Sequence, residues 1–260
     1  MKIALVGYGK MGHMLEMCAK RDGHDVVVRI DSFAEDADVV VKDGNTQMIA
    51  RAVKSSGAEG IIEFTNPSCV VENIKALLPL GLPLVVGTTG WNDKKVEITE
   101  MAKNCGGIIM TSSNFSIGVN LFYKIVAEAA KIMSEYSEYD VATWEAHHNQ
   151  KADSPSGTAI EIAKQIMNNM PSKTEIVTDA FYEKPKANQL HVSSTRCGCI
   201  PGTHKVFFDG VADTIEITHT ARSREIFAVG AVKALDRLTK KINSGLLIKG
   251  NMFSMDDLFC

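Results

Sequence analysis

The sequence lacks the features that mark membrane, secreted and nucleic-acid-binding proteins. No apolar run in its 260 residues reaches the roughly 18 residues that a membrane-spanning helix needs. Its N-terminus, Met1–Gly7, is a short apolar run ending in glycine, which is unlike a signal peptide. The net charge of −3 gives no reason to expect nucleic acid or an anionic membrane as a partner. We therefore expect a cytoplasmic globular protein that binds neither nucleic acid nor membrane.

Cysteine and histidine patterns typical of disulfide or metal proteins are also missing. The six cysteines lie at positions 18, 69, 105, 197, 199 and 260, and none belongs to a C-x-x-C pair. Together with the seven histidines, they form no recognised zinc spacing. We predict free thiols in a reducing compartment and no metal site. With 45% apolar and 23% charged residues, the chain can bury a core without cross-links, as one large domain or two small ones.

The N-terminal segment has the pattern of a dinucleotide-binding unit. An apolar run, Lys2–Val6, leads into a Gly-x-Gly-x-x-Gly turn, and a second predicted strand ends at Asp31, 19 positions past the last glycine. Such glycines permit a tight turn and the close approach of a pyrophosphate to a helix N-terminus. The predicted cofactor-binding residues here are Gly7, Tyr8, Gly9, Lys10, Met11, Gly12 and Asp31.

Asp31 also bears on which cofactor binds. A carboxylate at this place accepts hydrogen bonds from the ribose hydroxyls and repels a 2′-phosphate. Ser32 follows it, where an arginine would have helped to hold that phosphate. We predict that NADH is preferred to NADPH, although the sequence leaves both cofactors open.

Predicted strands and helices alternate as far as residue 112, which is typical of a doubly wound parallel sheet. Ligands of such sheets bind at the carboxyl ends of the strands. Two predicted strand ends are rich in small polar residues, although ordinary turns have the same composition. The further candidates for cofactor binding are therefore Gly87, Thr88, Thr89, Ser112, Ser113, Asn114 and Phe115.

The stretch from Glu145 to Thr158 has an unusual density of titratable groups. His147 and His148 can each exchange a proton near neutral pH, and Lys151 supplies a compact cation. Gly157 and Thr158 lie at a predicted helix start, where backbone N–H groups bind anions. The pattern predicts an acid/base group beside an anion site.

Two further expectations concern the same stretch. Either Glu145 or Asp153 could orient the titratable cluster, and the sequence does not choose between them. Ser154 is predicted to be the N-cap of the following helix, with Pro155 in its first turn.

From Thr174 onward the pattern changes to strands joined by short turns. Gln189–Arg196, His204–Asp209 and residues 213–220 are predicted strands, which favours a mixed or largely antiparallel sheet and hence a second domain. His204 and His219 are interpreted here as structural strand residues. Residues 249–260 are too few to show a pattern.

One segment, Glu145-Ala-His-His-x-x-Lys151-x-Asp-x-Pro-Ser-Gly-Thr158-Ala, closely resembles the signature of bacterial dihydrodipicolinate reductases. These enzymes are also called 4-hydroxy-tetrahydrodipicolinate reductases and serve the diaminopimelate route to lysine. Further segments that resemble the family lie near 7–12, 87–90, 114–115, 196–204 and 219–230. Ser154 and Ser112-Ser113 depart from it, since the family commonly has alanine at the first and Ala-Pro or Ala-Ala at the second.

The resemblance implies an α/β fold with two parts. Residues 1–115 with 221–260 would form a Rossmann-like, doubly wound parallel sheet that binds the dinucleotide. Residues 116–220 would form an α+β domain on a mixed sheet, for substrate binding and for assembly into a homotetramer. NADH and/or NADPH would reduce 4-hydroxy-tetrahydrodipicolinate, a small cyclic dicarboxylate, to tetrahydrodipicolinate.

The resemblance also implies roles for the residues of the signature. His147 would be the acid/base group, and Lys151 a proton donor and anion partner. His148, Gly157 and Thr158 would hold a substrate carboxylate. Two alternatives stay open: another NAD(P)-dependent dehydrogenase of an amino-acid pathway, and an inactive nucleotide sensor, which would not need the pair His147 and Lys151.

Overall fold

The computed structural model describes residues 1–259, and it divides into two compact units, Met1–Ser116 with Phe227–Cys260, and Ile117–Ile226. The strands are β1 Lys2–Val6, β2 Asp25–Asp31, β3 Val39–Val40, β4 Gly60–Glu63, β5 Pro83–Val86, β6 Ile108–Thr111, β7 Asp140–His147, β8 Glu175–Val177, β9 Gln189–Arg196, β10 Thr203–Asp209, β11 Thr214–Thr220 and β12 Asn251–Phe253. The helices are α1 Lys10–Arg21, α2 Thr46–Ser56, α3 Val70–Leu77, α4 Lys95–Cys105, α5 Ile117–Met133, α6 Gly157–Asn169 and α7 Glu225–Asn243. Among these described residues, no helix is both long and apolar enough to cross a membrane.

The first unit is built on a seven-stranded sheet in the order β12-β6-β5-β4-β1-β2-β3. Every pairing in it is parallel. The central strands are continuous apolar runs, such as Ile3–Val6, because helices cover both faces of a parallel sheet. The predicted Rossmann-like parallel sheet is therefore confirmed. Strand β12, which the sequence did not predict, adds the seventh strand beside β6.

Glycine is required where β1 turns into α1. Gly7 has φ +95°, and a Cβ there would lie 1.9 Å from the carbonyl oxygen of Phe64. A Cβ at Gly12 would lie 2.5 Å from the carbonyl oxygen of Gly7. A side chain at either position would force the helix away from the sheet, so these two glycines fix the loop that opens α1.

The second unit is built on a five-stranded mixed sheet in the order β11-β10-β7-β9-β8. Strand β10 runs antiparallel to β7 and β11, whereas β9 runs parallel to β7 and β8. Helices α5 and α6 pack on one face through a buried core that includes Phe122, Val126, Ile162, Ile166 and Val206. The prediction of a mixed sheet is therefore confirmed.

Helix α6 begins two residues later than predicted. Its N-cap is Ser156, whose hydroxyl accepts a hydrogen bond from the backbone N–H of Ala159 at 3.1 Å. The prediction of Ser154 as the N-cap, with Pro155 in the first turn, is wrong. Ser156 is held in place by its own N–H, which donates to the buried carboxylate of Glu145 at 3.3 Å, and the sequence pattern could not show that contact.

Candidate active site

A cavity of about 1120 Å³ lies in the first unit at the carboxyl ends of β1 and β2. Four residues of the glycine loop and Asp31 line it, as do residues of the segments that follow β2 and β4. Met11 and Gly12 are not part of the described lining, although Lys10, His13 and Met14 of the same helix are. The lining residues that the sequence predicted are Gly7, Tyr8, Gly9, Lys10 and Asp31.

Asp31 ties the end of β2 to the glycine loop. One carboxylate oxygen accepts the N–H of Tyr8 at 2.6 Å, and the other accepts the N–H groups of Phe33 and Ala34 at 2.8 and 3.0 Å. Partial burial alone would raise the pKa of Asp31, but these hydrogen bonds outweigh it and lower the pKa below its usual value. Asp31 is therefore a fixed anion in the wall of the cavity.

A charged cluster of Glu16, Arg29 and Lys20 holds the side chain of Tyr8 in place. Its hydroxyl donates to Glu16, which also pairs with Arg29 and, at 2.7 Å, with Lys20. The hydrogen bond from Arg29 is the largest cause that holds the pKa of Glu16 at about 2. Burial is the largest cause that raises the pKa of Tyr8 to about 12. The Tyr8 hydroxyl is thus neutral at working pH and is bound to the protein.

The polar strand ends after β5 and β6 are held by internal hydrogen bonds. Thr88 donates to the buried carboxylate of Glu63 at 2.7 Å and accepts the N–H of Thr65 at 2.7 Å. Ser112 hydrogen-bonds to the backbone of Asn114. Residues 87–89 and 112–115 do not belong to the described lining of the cavity. Their assignment to cofactor binding stays a prediction.

Helix α7 fixes the second of these segments. Gly230 lies in α7, and a Cβ there would lie 1.7 Å from the carbonyl oxygen of Phe115. The Phe115 ring is buried and lies with its centroid 6.2 Å from that of Phe64. The Asn114–Phe115 backbone is therefore packed tightly against α7 within the first unit.

In the second unit, strand register brings Glu145, His147, Arg196 and His204 together. Glu145 and His147 are two residues apart on β7 and so lie on one face. The β9 partner of His147 is Arg196, and the β10 partner of Glu145 is His204. The carboxylate of Glu145 contacts Nδ1 of His147 and accepts Nη2 of Arg196 at 2.9 Å. One buried carboxylate thus joins an imidazole to a guanidinium.

The ionisation of this cluster follows from its contacts. Burial would raise the pKa of Glu145, but hydrogen bonds from His147, Ser194 and Arg196 outweigh it and hold the pKa at about 2. Burial, followed by the charge of His147, lowers the pKa of His204 to about 3. At neutral pH Glu145 is therefore an anion, and His204 is a neutral ring whose Nε2 lies 3.3 Å from the Ser156 hydroxyl.

Glu145, His147 and His204 have donor atoms within 4.8 Å of one another, which is a spacing that a metal ion can use. The Arg196 guanidinium, however, lies 2.9 Å from the same carboxylate, and a second cation there would be repelled. We therefore interpret the three residues as a polar cluster around the Glu145 carboxylate, in which His204 contacts Ser156. The prediction that the chain has no metal site stays a prediction.

The loop after β7 carries His148 and Lys151. Lys151 pairs with Asp153 at 2.8 Å, and this hydrogen bond is the largest cause that lowers the pKa of Asp153. The Arg196 side chain donates to the carbonyl oxygens of Lys151 and Asp153. Nη2 of Arg224 lies 3.3 Å from Nε2 of His148. Glu145 therefore contacts the histidine and Asp153 contacts the lysine, so each candidate orienting group has a different partner.

The start of α6 presents Gly157 and Thr158. Gly157 is exposed at the first helical position, behind the N-cap Ser156. A hydrogen bond joins Thr158 to Tyr123 of α5 and opposes burial, the main cause that raises the pKa of Tyr123 to about 12. The helix start can bind an anion through its backbone N–H groups, while the Thr158 side chain has a protein partner.

Four residues of this site were missed as functional candidates: Arg196, Gly202, His204 and Arg224. Arg196, Gly202 and His204 belong to the Arg-x-Gly and Gly-x-His spacing that the sequence displays, so a signal was present. Gly202 has φ +152°, and a Cβ there would lie 2.9 Å from Nε2 of His147. Burial and strand register, which a single sequence does not reveal, give these residues their place beside His147.

Comparisons with known proteins agree along the whole chain. Residues 1–115 match the family model for the N-terminus of dihydrodipicolinate reductase, and residues 118–259 match the model for its C-terminus. A 4-hydroxy-tetrahydrodipicolinate reductase of Christiangramia forsetii is 35% identical over 100% of this chain and 99% of its own length. One from Archaeoglobus fulgidus is 34% identical over 99% of both chains.

Solved structures agree with the fold. A dipicolinate-bound dihydrodipicolinate reductase from Paenisporosarcina sp. TG-14 has a TM-score of 0.76 at 20% identity, over 100% of this chain and 99% of that one. A probable dehydrogenase from Thermotoga maritima has a TM-score of 0.61 at 12% identity, over 99% and 92%. At these identities the likeness concerns the fold alone.

Proposed function

The chain belongs to the dihydrodipicolinate reductase family, and on that premise we propose how its own residues carry out the reaction. It is an NAD(P)H-dependent oxidoreductase that reduces 4-hydroxy-tetrahydrodipicolinate to tetrahydrodipicolinate in the diaminopimelate route to lysine. The observation that carries our assignment of residues is the buried contact of Glu145 with His147. A protein that only sensed a nucleotide would have no need of such a pair.

The first unit holds the dinucleotide. Gly7 and Gly12 let the loop pack tightly, because a Cβ at either would collide with backbone, and Gly9, the N-cap of α1, has open space beside it for a pyrophosphate. Asp31 accepts hydrogen bonds from the ribose hydroxyls, and its fixed charge disfavours a 2′-phosphate, so NADH is preferred. Bound there, the reduced nicotinamide supplies the hydride.

The second unit holds the substrate and moves protons. Lys151, His148 and the N–H groups at Gly157 and Thr158 bind the substrate carboxylates, since charged and oriented donors are stabilising partners for anions. Loss of water from the hydroxylated ring removes a proton from the carbon beside the hydroxyl group and gives a proton to the departing hydroxide. The conjugated double bonds then accept hydride at carbon, and the electron pair displaced onto the ring takes a proton. His147 and Lys151 handle these protons.

The two parts that the sequence predicts, whose boundaries differ by a few residues from those of the two structural units, receive different roles in our proposal. Residues 1–115 with 221–260 bind the dinucleotide, and residues 116–220 bind substrate and assemble the protein, which is cytoplasmic, into a homotetramer. Two features of the second sheet support assembly: β11 is an exposed edge strand, and Phe207 and Trp144 lie on the face opposite the helices, where they are half-buried. Light scattering of purified protein measures the mass of the assembly, and a monomer would exclude this role.

One assay separates the candidate functions. Purified protein is mixed with NADH and the condensation product of pyruvate and aspartate semialdehyde, and NADH oxidation is followed by absorbance. We expect turnover in the wild type and a large loss in His147→Gln. A nucleotide sensor would bind NADH without turnover. A dehydrogenase of another amino-acid pathway would leave this substrate untouched and would reduce NAD⁺ with its own amino acid.

A further inference from the structure

We propose that Glu145 is a positioning residue: it holds the Nδ1 proton of His147, so that Nε2, beside Gly202, is the atom that exchanges protons with substrate. This inference rests on the acid/base role of His147 proposed above and adds which ring atom acts and what selects it. The contact of the Glu145 carboxylate with Nδ1 supports it, because an ionised carboxylate can only accept.

The carboxylate is suited to this task because it is buried and permanently charged. Glu145 is 1% exposed, and Arg196 and the Ser194 hydroxyl help to keep its pKa low. A proton placed on Nδ1 therefore meets a charged acceptor at neutral pH. A proton on Nε2 alone would leave two acceptors, Nδ1 and the carboxylate, facing each other across a buried contact, which is destabilising.

The other ring nitrogen, Nε2, lies beside Gly202, which has no side chain. A Cβ at Gly202 would lie 2.9 Å from Nε2 of His147, which is too close for an ordinary contact. Glycine at this position therefore keeps a side chain of residue 202 away from Nε2. The backbone holds Gly202 in place, because its carbonyl oxygen accepts the N–H of Ala221 at 2.8 Å.

The second oxygen of Glu145 couples the imidazole to the anion site. It accepts Nη2 of Arg196 at 2.9 Å and the N–H of Ser156 at 3.3 Å, and Ser156 is the N-cap of α6. One rigid carboxylate thus sets both the orientation of His147 and the place where α6 begins. The other acidic group of the motif, Asp153, is paired with Lys151, so it does not share this task.

The tautomer of His147 can be measured without substrate. Protein labelled with ¹⁵N at histidine is examined by NMR near pH 8, and the spectrum of His147→Gln identifies the signals of His147. We expect a protonated Nδ1 and an unprotonated Nε2 in the wild type. In Glu145→Gln the amide can either donate or accept, so we expect this preference to be lost. Glu161→Gln, a change on the outer part of α6, is the matched control and should alter neither signal.

Kinetics give the second readout. In Glu145→Gln we expect kcat to fall roughly 10²–10⁴-fold, as for the loss of a tautomer-selecting carboxylate elsewhere, while KM for NADH changes less than about twofold. Glu145→Asp keeps the charge but withdraws it from Nδ1, so its kcat should lie between those of wild type and Glu145→Gln. It also serves as the test protein if Glu145→Gln fails to fold.

Two results would overturn the proposal. One is a wild-type His147 with its proton on Nε2. The other is a folded Glu145→Gln or Glu145→Asp whose tautomer and kcat equal those of the wild type. Because the NMR measurement needs no substrate, it is independent of the proposed function. A wild type that holds the Nδ1 proton and yet fails to oxidise NADH in the assay above would contradict the function and leave the positioning intact.

Discussion

The carboxylate of Asp31 accepts the backbone N–H of Tyr8 at 2.6 Å. This hydrogen bond joins the end of β2 to the loop that follows β1, so the residue that we predict to bind the cofactor ribose also shapes the loop that we predict to hold the pyrophosphate. The sequence suggests the first role through the spacing of Asp31 from the glycines. The second role emerges only from the fold, and it changes how the residue should be tested.

Asp31→Asn should shift the cofactor preference toward NADPH. The amide keeps one acceptor oxygen for the backbone N–H groups but removes the negative charge that repels a 2′-phosphate, so NADH binding should weaken modestly. Asp31→Ala should weaken both cofactors, because it also releases the loop. Fluorescence titration of NADH and NADPH measures the ratio, with Asp93→Asn as control, because Asp93 is exposed and is not among the residues that line the cavity. An unchanged ratio in Asp31→Asn would mean that Asp31 is not at the ribose.

His147→Gln and Lys151→Met should each lower kcat and leave NADH affinity unchanged. General acid and base groups contribute roughly 10²–10⁴-fold. Both side chains belong to the second unit, and neither is among the residues that line the cavity of the first unit. The measurement is steady-state kinetics together with NADH titration. Lys164→Met, on the exposed part of α6, is the matched control for loss of a lysine. Near-normal kcat in both variants would contradict the assignment of His147 and Lys151 as the groups that transfer protons.

The sequence could predict the parts of the fold that rest on local patterns. The turn of Gly7 to Gly12 and the alternation of strands and helices are properties of neighbouring residues, so they were predictable. Strand β12 has only three residues and no periodicity, and it forms because β6 offers an open edge.

The candidate site likewise contains residues that the sequence could predict and residues that it could not. His147, Lys151 and Gly157 belong to one short motif, and their proximity follows from the sequence. Arg196 and His204 reach them through strand pairing across 45 to 60 residues, so their contacts depend on register. The N-cap of α6 was placed wrongly for a related reason, since the contact of Ser156 with the Glu145 carboxylate on the preceding strand is a tertiary contact that local sequence preferences do not show.

Glu16 should stabilise the first unit at neutral pH and lose that effect in acid. Its pKa is held at about 2 in the folded protein, against about 4.3 when unfolded. A carboxyl with a lowered pKa stabilises above the unfolded value, and the effect is lost as pH falls toward the folded value. The shift corresponds to at most about 3 kcal/mol. Urea unfolding should show Glu16→Gln clearly less stable than wild type at pH 7, with the difference roughly halved near pH 3. The exposed Glu128→Gln should show neither change. A difference of the same size at both pH values would contradict the linkage.

Pyridine-2,6-dicarboxylate should inhibit much more strongly than pyridine-2-carboxylate. Lys151, His148 and the start of α6 offer more anion partners than one carboxylate can use, and charge-assisted hydrogen bonds contribute about 1.5–3 kcal/mol each. Loss of one carboxylate should therefore weaken inhibition by roughly 10- to 100-fold or more. Inhibition constants of the two compounds against wild type measure this difference, and equal constants would mean that the site does not recognise two carboxylates.

Thr158 should be responsible for part of this discrimination, and its partner Tyr123 provides the control. Thr158→Val removes both a hydroxyl that could bind the substrate and the hydrogen bond of that hydroxyl with Tyr123. Tyr123→Phe removes only the hydrogen bond between the two residues. If Thr158 binds a carboxylate, Thr158→Val should weaken the dicarboxylate more than the monocarboxylate, and Tyr123→Phe should leave the ratio of the two inhibition constants near that of the wild type. The same loss in both variants would show that Thr158 acts through α5 and not on the ligand. In that case the backbone N–H groups of the α6 start, with Lys151, would be the anion partners that remain.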